Sequence, residues 1–74
     1  MSATLDDVRR MVALQLGLHE VEADADLAAD LGAESADLVN IVAALEDRYG
    51  VEIDEGELAD LRTVSDLYRR IAAG

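Results

Sequence analysis

Four stretches of this 74-residue chain repeat apolar residues at the spacing of an α-helix, and no stretch alternates as a β-strand would. The chain has no cysteine, so neither disulfides nor a thiolate-bound metal can supplement its core. A chain of this length buries only about 60% of its unfolded surface, which leaves little room for an enclosed active site. We therefore expect one all-α domain over residues 1–74 that works at its surface.

The first predicted helix covers about residues 5–16. Thr4 has the position of a cap, Gly17 ends the helix, and Leu14 falls on the side opposite the apolar stripe, where we expect it to be partly exposed. Residues 17–34 have no clear helical period and form a long loop that apolar side chains must hold in place. The expected anchors of this loop are Leu18, Val21, Leu27 and Leu31.

The second predicted helix is the most distinct of the four. Ser35 is a good N-cap for it, and Gly50 ends it. Its inward stripe consists of Leu38, Ile41, Val42, Leu45 and Tyr49. At about 100° per residue, the outward positions are Ala36, Asp37, Asn40, Ala43, Ala44 and Asp47, with Val39 at the flank.

The remaining two segments also begin at capping patterns. Asp54 with Glu57 predicts one or two helical turns, although Gly56 within them weakens that prediction. Thr63 with Asp66 begins the last helix. The inward side chains of this last helix are Val64, Leu67, Tyr68 and Ile71.

The net charge of −11 is concentrated in the middle of the chain. Between Glu20 and Asp60 there are fourteen acidic residues and one basic residue, Arg48. Such a surface repels nucleic acid and anionic membrane and attracts basic protein surfaces. The apolar runs are too short to span a membrane, and the N-terminus has no signal-peptide pattern, so we expect a cytoplasmic monomer.

Ser35 is the residue best placed to carry chemistry. It follows the run Asp30-Leu31-Gly32-Ala33-Glu34 and stands at the start of the second helix. A phosphate ester on its hydroxyl would lie near unpaired N–H groups and the positive end of the helix dipole. From position alone, an ordinary N-cap serine is the more common explanation.

Catalytic and metal-binding functions are not supported. The only histidine, His19, lies in a polar loop, so Ser35 has no evident base partner for nucleophilic catalysis. The loop acids Glu20, Glu22, Asp24 and Asp26 alternate as calcium ligands of an EF-hand do. However, Ala25 and Leu31 occupy the positions that would need glycine and a bidentate glutamate, so we expect no metal site.

The run from Asp30 to Ser35 resembles the attachment motif of the acyl carrier protein family, usually Asp-Leu-Gly-x-Asp-Ser-Leu. The resemblance continues through Val39, Ala44-Leu45-Glu46, Tyr49-Gly50-Val51-Glu52-Ile53 and Thr63-Val64. It implies an up-and-down four-helix bundle with a short third helix and a long loop between the first two helices. It also implies that Ser35 receives 4′-phosphopantetheine from coenzyme A through a separate phosphopantetheinyl transferase.

On this resemblance the chain is a carrier and not an enzyme. Its arm would bear acyl thioesters and present them to basic docking surfaces on enzymes of fatty acid, lipid or polyketide synthesis. The expected docking residues are Glu34, Ala36, Asp37, Val39, Asn40, Glu46 and Asp47.

Three of these docking residues depart from the family pattern. Glu34 replaces the usual Asp, Ala36 replaces the usual Leu, and Asn40 stands where carriers of fatty acid synthesis commonly have an acid. These departures indicate a specialised carrier. Two alternatives remain, namely an unmodified acidic adaptor that binds a basic protein surface, and a peptidyl or aryl carrier, whose helix is typically less acidic.

Overall fold

Three α-helices and one 3-10 helix form the fold in the computed structural model, which describes residues 3–74. In chain order the elements are α1 (Leu5–Leu16), α2 (Ser35–Tyr49), the 3-10 helix (Glu55–Asp60) and α3 (Val64–Ala73). Within the described residues there is no β-strand, only a single antiparallel bridge between Asp26 and Thr63. The all-helical prediction is therefore confirmed.

Helix α1 has the predicted bounds because both of its ends are satisfied locally. The Thr4 hydroxyl accepts the N–H of Asp7 at 3.1 Å, and Gly17 adopts a left-handed conformation with φ of 70°. Beyond the helix, the N–H of Leu18 donates to the Ala13 carbonyl at 2.8 Å, which closes a Schellman turn.

The segment after α2, for which one or two helical turns are predicted, is a 3-10 helix. Its N-cap is Asp54, whose backbone N–H donates to a carboxylate oxygen of Glu57 at 2.9 Å, so the predicted capping pattern is present. A six-residue element that contains Gly56 gains little from α-helix formation, and short 3-10 segments are common as connectors. Leu61, just beyond it, is buried.

The core lies where α1 packs against both α2 and α3. Its largest fully buried side chains are Val8, Val12, Ile41, Leu45, Val64 and Leu67, which come equally from the three helices. Leu14 on the opposite side of α1 is 77% exposed, as the sequence predicts. All three α-helices therefore depend on one shared apolar centre.

Two of the four predicted loop anchors are buried. Val21 and Leu27 are each 3% exposed, and Leu31 is partly buried against the core. The prediction for Leu18 is wrong, because the Schellman turn at Gly17 leaves that side chain 40% exposed. Ala25, which is not among the predicted anchors, is 8% exposed and occupies an inward position in the loop.

Backbone contacts attach this long loop to α3. The N–H of Leu27 donates to the Arg62 carbonyl at 2.8 Å, on one side of the bridge between Asp26 and Thr63. Farther along, both the N–H and the hydroxyl of Ser65 donate to the Ala23 carbonyl at 2.8 Å. The loop thus runs beside the start of α3.

Two carboxylates with lowered pKa hold the start of α3 and the 3-10 helix. Hydrogen bonds from the backbone N–H groups of Thr63 and Arg62 lower the pKa of Asp66. Donation from the Arg70 guanidinium, supported by the N–H of Asp54, lowers the pKa of Glu57. The charged form of each carboxylate therefore favours the folded state.

A comparison of two leucine substitutions should separate the buried stripe from the exposed side. Leu45→Ala is expected to reduce the free energy of unfolding by about 2–5 kcal/mol. This is a large part of the roughly 4–11 kcal/mol typical of a domain this size. Leu14→Ala should change it by no more than about 0.5 kcal/mol. Urea denaturation measures both, and equal losses would contradict the packing described above.

Acid should weaken the fold through Asp66. Because its pKa in the folded chain lies below the ordinary value of 3.8, its contribution is complete above that value and is lost as the pH falls through the lowered pKa. The difference in unfolding free energy between wild type and Asp66→Asn should thus be constant near neutral pH and shrink below about pH 4. Denaturation series at several pH values test this, and a difference that grows in acid would refute it.

Candidate functional site

The first turn of α2 is capped by residues on either side of Ser35. Glu34 has extended backbone angles, φ −93° and ψ 173°, and its carbonyl accepts the Leu38 N–H at 3.0 Å. Its own N–H donates to a carboxylate oxygen of Asp37 at 2.9 Å. The prediction that Ser35 is the N-cap is therefore wrong, because Glu34 holds that position and Ser35 is the first helical residue.

This shift of one residue leaves the Ser35 hydroxyl available. The residue is exposed, and its side chain makes no hydrogen bond within residues 3–74. An N-cap serine would instead direct its oxygen at the N–H groups of the first turn. Here Glu34 and Asp37 together form a capping box, so the hydroxyl faces solvent without a structural task.

The residues before Ser35 form a tight turn, which we call the attachment turn (residues 26–33). One carboxylate oxygen of Asp26 accepts the N–H groups of Ala28 and Ala29 at 3.0 and 2.8 Å. The Asp30 carboxylate in turn accepts the N–H of Asp26 at 2.8 Å. Gly32 then adopts φ of 71°, a backbone conformation that residues other than glycine rarely take.

Each of the first three motif residues therefore has a structural role. Asp30 closes the attachment turn through its carboxylate, Leu31 packs partly against the core, and Gly32 reverses the chain toward α2. Ala33 then donates its N–H to the Leu27 carbonyl at 2.8 Å, two residues before Ser35. Each residue of the motif from Asp30 to Ala33 thus contributes one contact or turn on the way to Ser35.

The outward side of α2 carries small and acidic side chains, as the helix wheel predicts. Val39 is 52% exposed, which makes it the main apolar contact of this surface. We define the α2 docking face as the exposed residues Ala36, Val39, Asn40, Ala43 and Asp47. It begins next to Ser35 and runs along the helix.

Two of the acids expected at this surface have structural hydrogen bonds. The Glu46 carboxylate accepts the N–H of Ile53 at 2.7 Å and so fixes the chain after α2. Asp37 accepts the N–H of Glu34. The sequence analysis does not predict these roles, although an acid three residues after the N-cap, here Asp37 after Glu34, is a recognisable capping signal. Glu34 and Asp47 remain exposed carboxylates.

The start of α2 suits a phosphate ester on Ser35. The N–H groups of Ser35 and Ala36 have no backbone acceptor within residues 3–74, and the helix dipole is positive there. The neighbouring side chains of Ala33 and Ala36 are small, so they leave the hydroxyl accessible. The nearby carboxylate of Glu34 opposes added negative charge, whereas the two N–H groups and the helix dipole favour it. A covalently attached 4′-phosphopantetheine therefore fits this position.

The residues expected not to take part are separate from Ser35. His19 is exposed and lines a groove beside Arg9 and Arg10 of α1, a groove to which Ser35 does not belong. In the described part of the chain, no group of three or more His, Cys, Asp or Glu side chains could hold a metal ion. No helix within residues 3–74 has the length and apolar character needed to cross a bilayer.

Similarity to known proteins covers almost the whole chain. The model of the family described as a phosphopantetheine attachment site matches residues 6–71. An acyl carrier protein of Wolinella succinogenes is 38% identical over 71 residues, spanning 93% of this chain and 93% of that protein. Acyl carrier protein 3 of Ralstonia nicotianae is 41% identical over 71 residues, spanning 93% of this chain and 82% of that protein.

Solved structures give the same result. BlmI, a type-II acyl carrier protein from Streptomyces verticillus involved in bleomycin biosynthesis, superposes with a TM-score of 0.82 at 28% identity. That alignment covers 93% of this chain and 82% of BlmI. A chain in the structure of the ishigamide ketosynthase/chain length factor has a TM-score of 0.76 at 32% identity, covering 93% of this chain and 89% of that one. The chain therefore belongs to the acyl carrier protein family, whose members bear a covalent 4′-phosphopantetheine and are carriers rather than enzymes.

Proposed function

We propose that this carrier is loaded at Ser35 and presents acyl thioesters to enzymes of fatty acid, lipid or polyketide synthesis. The observation that supports Ser35 most directly is its exposed hydroxyl, which has no hydrogen bond within residues 3–74 although it stands at the first residue of α2. Ser65 is the contrasting case, because its hydroxyl donates to the Ala23 carbonyl at 2.8 Å and is part of the fold.

The loading step would form a bond between Oγ of Ser35 and the phosphorus nearest the pantetheine part of coenzyme A. The pyrophosphate P–O bond breaks, adenosine 3′,5′-bisphosphate leaves, and the hydroxyl proton passes to a base of the transferase. The thiol of the attached arm supplies the thioester chemistry. The residues of this chain contribute an accessible oxygen and N–H groups of Ser35 and Ala36 that favour the phosphate charge.

Partner enzymes would approach along the α2 docking face. Val39 and Ala36 offer apolar contact beside Ser35, and Asp47 with Glu34 offers exposed negative charge for basic partner surfaces. Asn40 lies on the same face as a neutral polar residue. Glu46 and Asp37 contribute negative potential there, and their carboxylates also have structural bonds that limit their movement.

The four helices are arranged as an up-and-down bundle in which the 3-10 helix is the short third helix. Hydrogen bonds between residues 23–27 and residues 62–65 support the placement of the starts of α2 and α3 at one end. A groove lined by Ala3, Tyr49 and Ile71 supports the placement of the start of α1 near the ends of α2 and α3. We further propose that residues 1–74 form one domain that acts as a monomer in the cytoplasm.

Two alternative functions differ from this proposal in observable ways. An unmodified acidic adaptor would bind basic proteins through the same charges but would take up no arm. A peptidyl or aryl carrier would take up the arm but would carry aminoacyl or aryl thioesters. The high acidity of the chain, with a net charge of −11, favours the acyl carrier over the peptidyl or aryl carrier.

Ser35→Ala should abolish loading while it preserves the fold. Because Glu34 and Asp37 supply the cap, loss of the hydroxyl should cost less than the roughly 0.5–2 kcal/mol typical of an N-cap replacement. Intact mass after incubation with coenzyme A and a broad-specificity phosphopantetheinyl transferase measures loading. The matched control is Ser65→Ala, which should still gain one arm.

Loading of the Ser35→Ala variant at any other residue would overturn the assignment. If neither wild type nor Ser65→Ala gains the arm, the adaptor is the better explanation. Circular dichroism and urea denaturation of the same samples establish that each variant is folded.

Charge reversal on the α2 docking face should slow association with the transferase. Asp47→Lys is expected to lower the on-rate on the order of threefold at low salt, because exposed charges steer encounter. The effect should fade as salt shortens the Debye length to ~8 Å and below. Stopped-flow mixing compares it with Glu22→Lys, the same charge change at an exposed loop position. Equal on-rates for the two variants would argue against docking along α2.

A further inference from the structure

We infer that the start of α3, through Asp66, is a positioning element for the loading of Ser35. This inference rests on the proposed function, because it concerns arm attachment at Ser35. It assigns to Asp66, which lies 31 residues after Ser35 in the sequence, a role in holding the attachment turn where a transferase can use the serine. A series of hydrogen bonds runs from Asp66 through Arg62 and Leu27 to Ala33, two residues before Ser35.

The series begins at the Asp66 carboxylate. One of its oxygens accepts the N–H groups of both Arg62 and Thr63, each at 3.0 Å. The N–H of Asp66 donates in return to the Thr63 hydroxyl at 3.1 Å, and Arg69 pairs with the other carboxylate oxygen. These bonds fix the two peptide groups that precede α3.

The backbone of Leu27 is the next link. Its N–H donates to the carbonyl of Arg62 at 2.8 Å, and its own carbonyl accepts the N–H of Ala33 at 2.8 Å. Leu27 is therefore bonded on one side to the segment that Asp66 holds and on the other to the chain entering α2. Its side chain is 3% exposed, so the link is also anchored in the core.

The last link reaches the residue before Ser35. Ala33 is followed by Glu34, whose N–H donates to Asp37 at 2.9 Å and whose carbonyl begins the α2 hydrogen bonds. Ser35 thus stands between a residue bonded back to Leu27 and the first turn of its own helix.

Packing alone does not fix the attachment turn. Ala28, Ala29, Asp30 and Gly32 are all exposed, and Leu27 is the one fully buried residue, with Leu31 and Ala33 partly buried against the core. The ion pair between Arg62 and Asp26, at 4.0 Å with Arg62 75% exposed, contributes little. Hydrogen bonds therefore add to packing in fixing where the turn lies, and the bond from Leu27 to Arg62 depends on Asp66. If the turn moves, the serine oxygen moves relative to the phosphorus it must attack, and a shift of about 1 Å can cost about a hundredfold in rate.

The test separates positioning from stability through the kinetics of loading. In this reaction the carrier is the substrate, so a partly unfolded population reduces its effective concentration and raises the apparent KM. A displaced serine in a bound carrier instead lowers kcat. For Asp66→Ala we expect kcat with a broad-specificity transferase and coenzyme A to fall about tenfold, with KM within about twofold of wild type.

Two matched threonine variants control for loss of a helix cap. Thr4 and Thr63 each accept one N–H, from the residue three positions later, at 3.1 Å. Thr4→Ala and Thr63→Ala should destabilise the protein to a similar extent, yet only Thr63→Ala should lower kcat. Asp66→Asn provides a milder change if Asp66→Ala does not fold. Asp66→Glu should restore kcat in large part, because glutamate also serves this capping position.

Hydrogen exchange supplies a readout other than loading. The amides of Leu27 and Ala33 should exchange faster in Asp66→Ala than in Thr4→Ala at equal global stability. Unchanged kcat in Asp66→Ala, a change confined to KM, or an equal loss of kcat in Thr4→Ala would overturn the inference. Ser35→Ala is run in parallel. If it still takes up the arm, the proposed function fails; if it does not while Asp66→Ala loads with wild-type kcat, only this inference fails.

Discussion

The peptide groups on either side of Leu27 form hydrogen bonds that connect the start of α3 to the chain entering α2. The side chains of the core do not make this connection. The loop between α1 and α2 has few buried side chains, yet it must bring the chain to the start of α2 in one conformation. By bonding to Arg62 on one side and Ala33 on the other, Leu27 transmits the position of α3 to α2. A buried backbone group needs a partner, so burial of this leucine also enforces these bonds.

Most of the helices could be predicted from the sequence because their signals are local. Thr4, Gly17, Gly50 and Thr63 lie at the helix ends where capping rules place them. The bridge between Asp26 and Thr63 could not be predicted, since it joins residues far apart in the sequence without a hydrophobic pattern. For the same reason the burial of Ala25 was missed.

At the candidate site, too, some features could be predicted from the sequence and others could not. That Ser35 bears the arm is a prediction from the resemblance, and the residue is exposed, as loading by another enzyme requires. Its capping role was misassigned by one residue, because serine and glutamate can both precede a helix and only the backbone angles distinguish them. Whether an acid such as Glu46 serves the surface or the fold depends on a tertiary contact, here with Ile53, that no local pattern contains.

Two arginines, Arg9 and Arg70, join separate segments of this chain. Arg9 donates to the Val21 carbonyl at 2.8 Å, and Arg70 bonds both to Glu57 and to the Glu52 carbonyl at 2.7 Å. These side chains therefore connect a loop to α1 and the 3-10 segment to α3. Because six basic residues face 17 acidic ones, the negative potential of the surface is left largely uncompensated.

Because Glu34 and Asp37 cap α2, the capping of the helix and the availability of the Ser35 oxygen for reaction depend on different residues. A serine N-cap would combine both in one side chain. The Ser35 oxygen, which we propose to be the one loaded, is not one that the helix needs, so its esterification or the removal of its substituent breaks no bond of the first turn. Cycles of loading and hydrolysis can then proceed without partial melting of α2. The carrier can then present the same folded surface to successive enzymes, whatever group the serine bears.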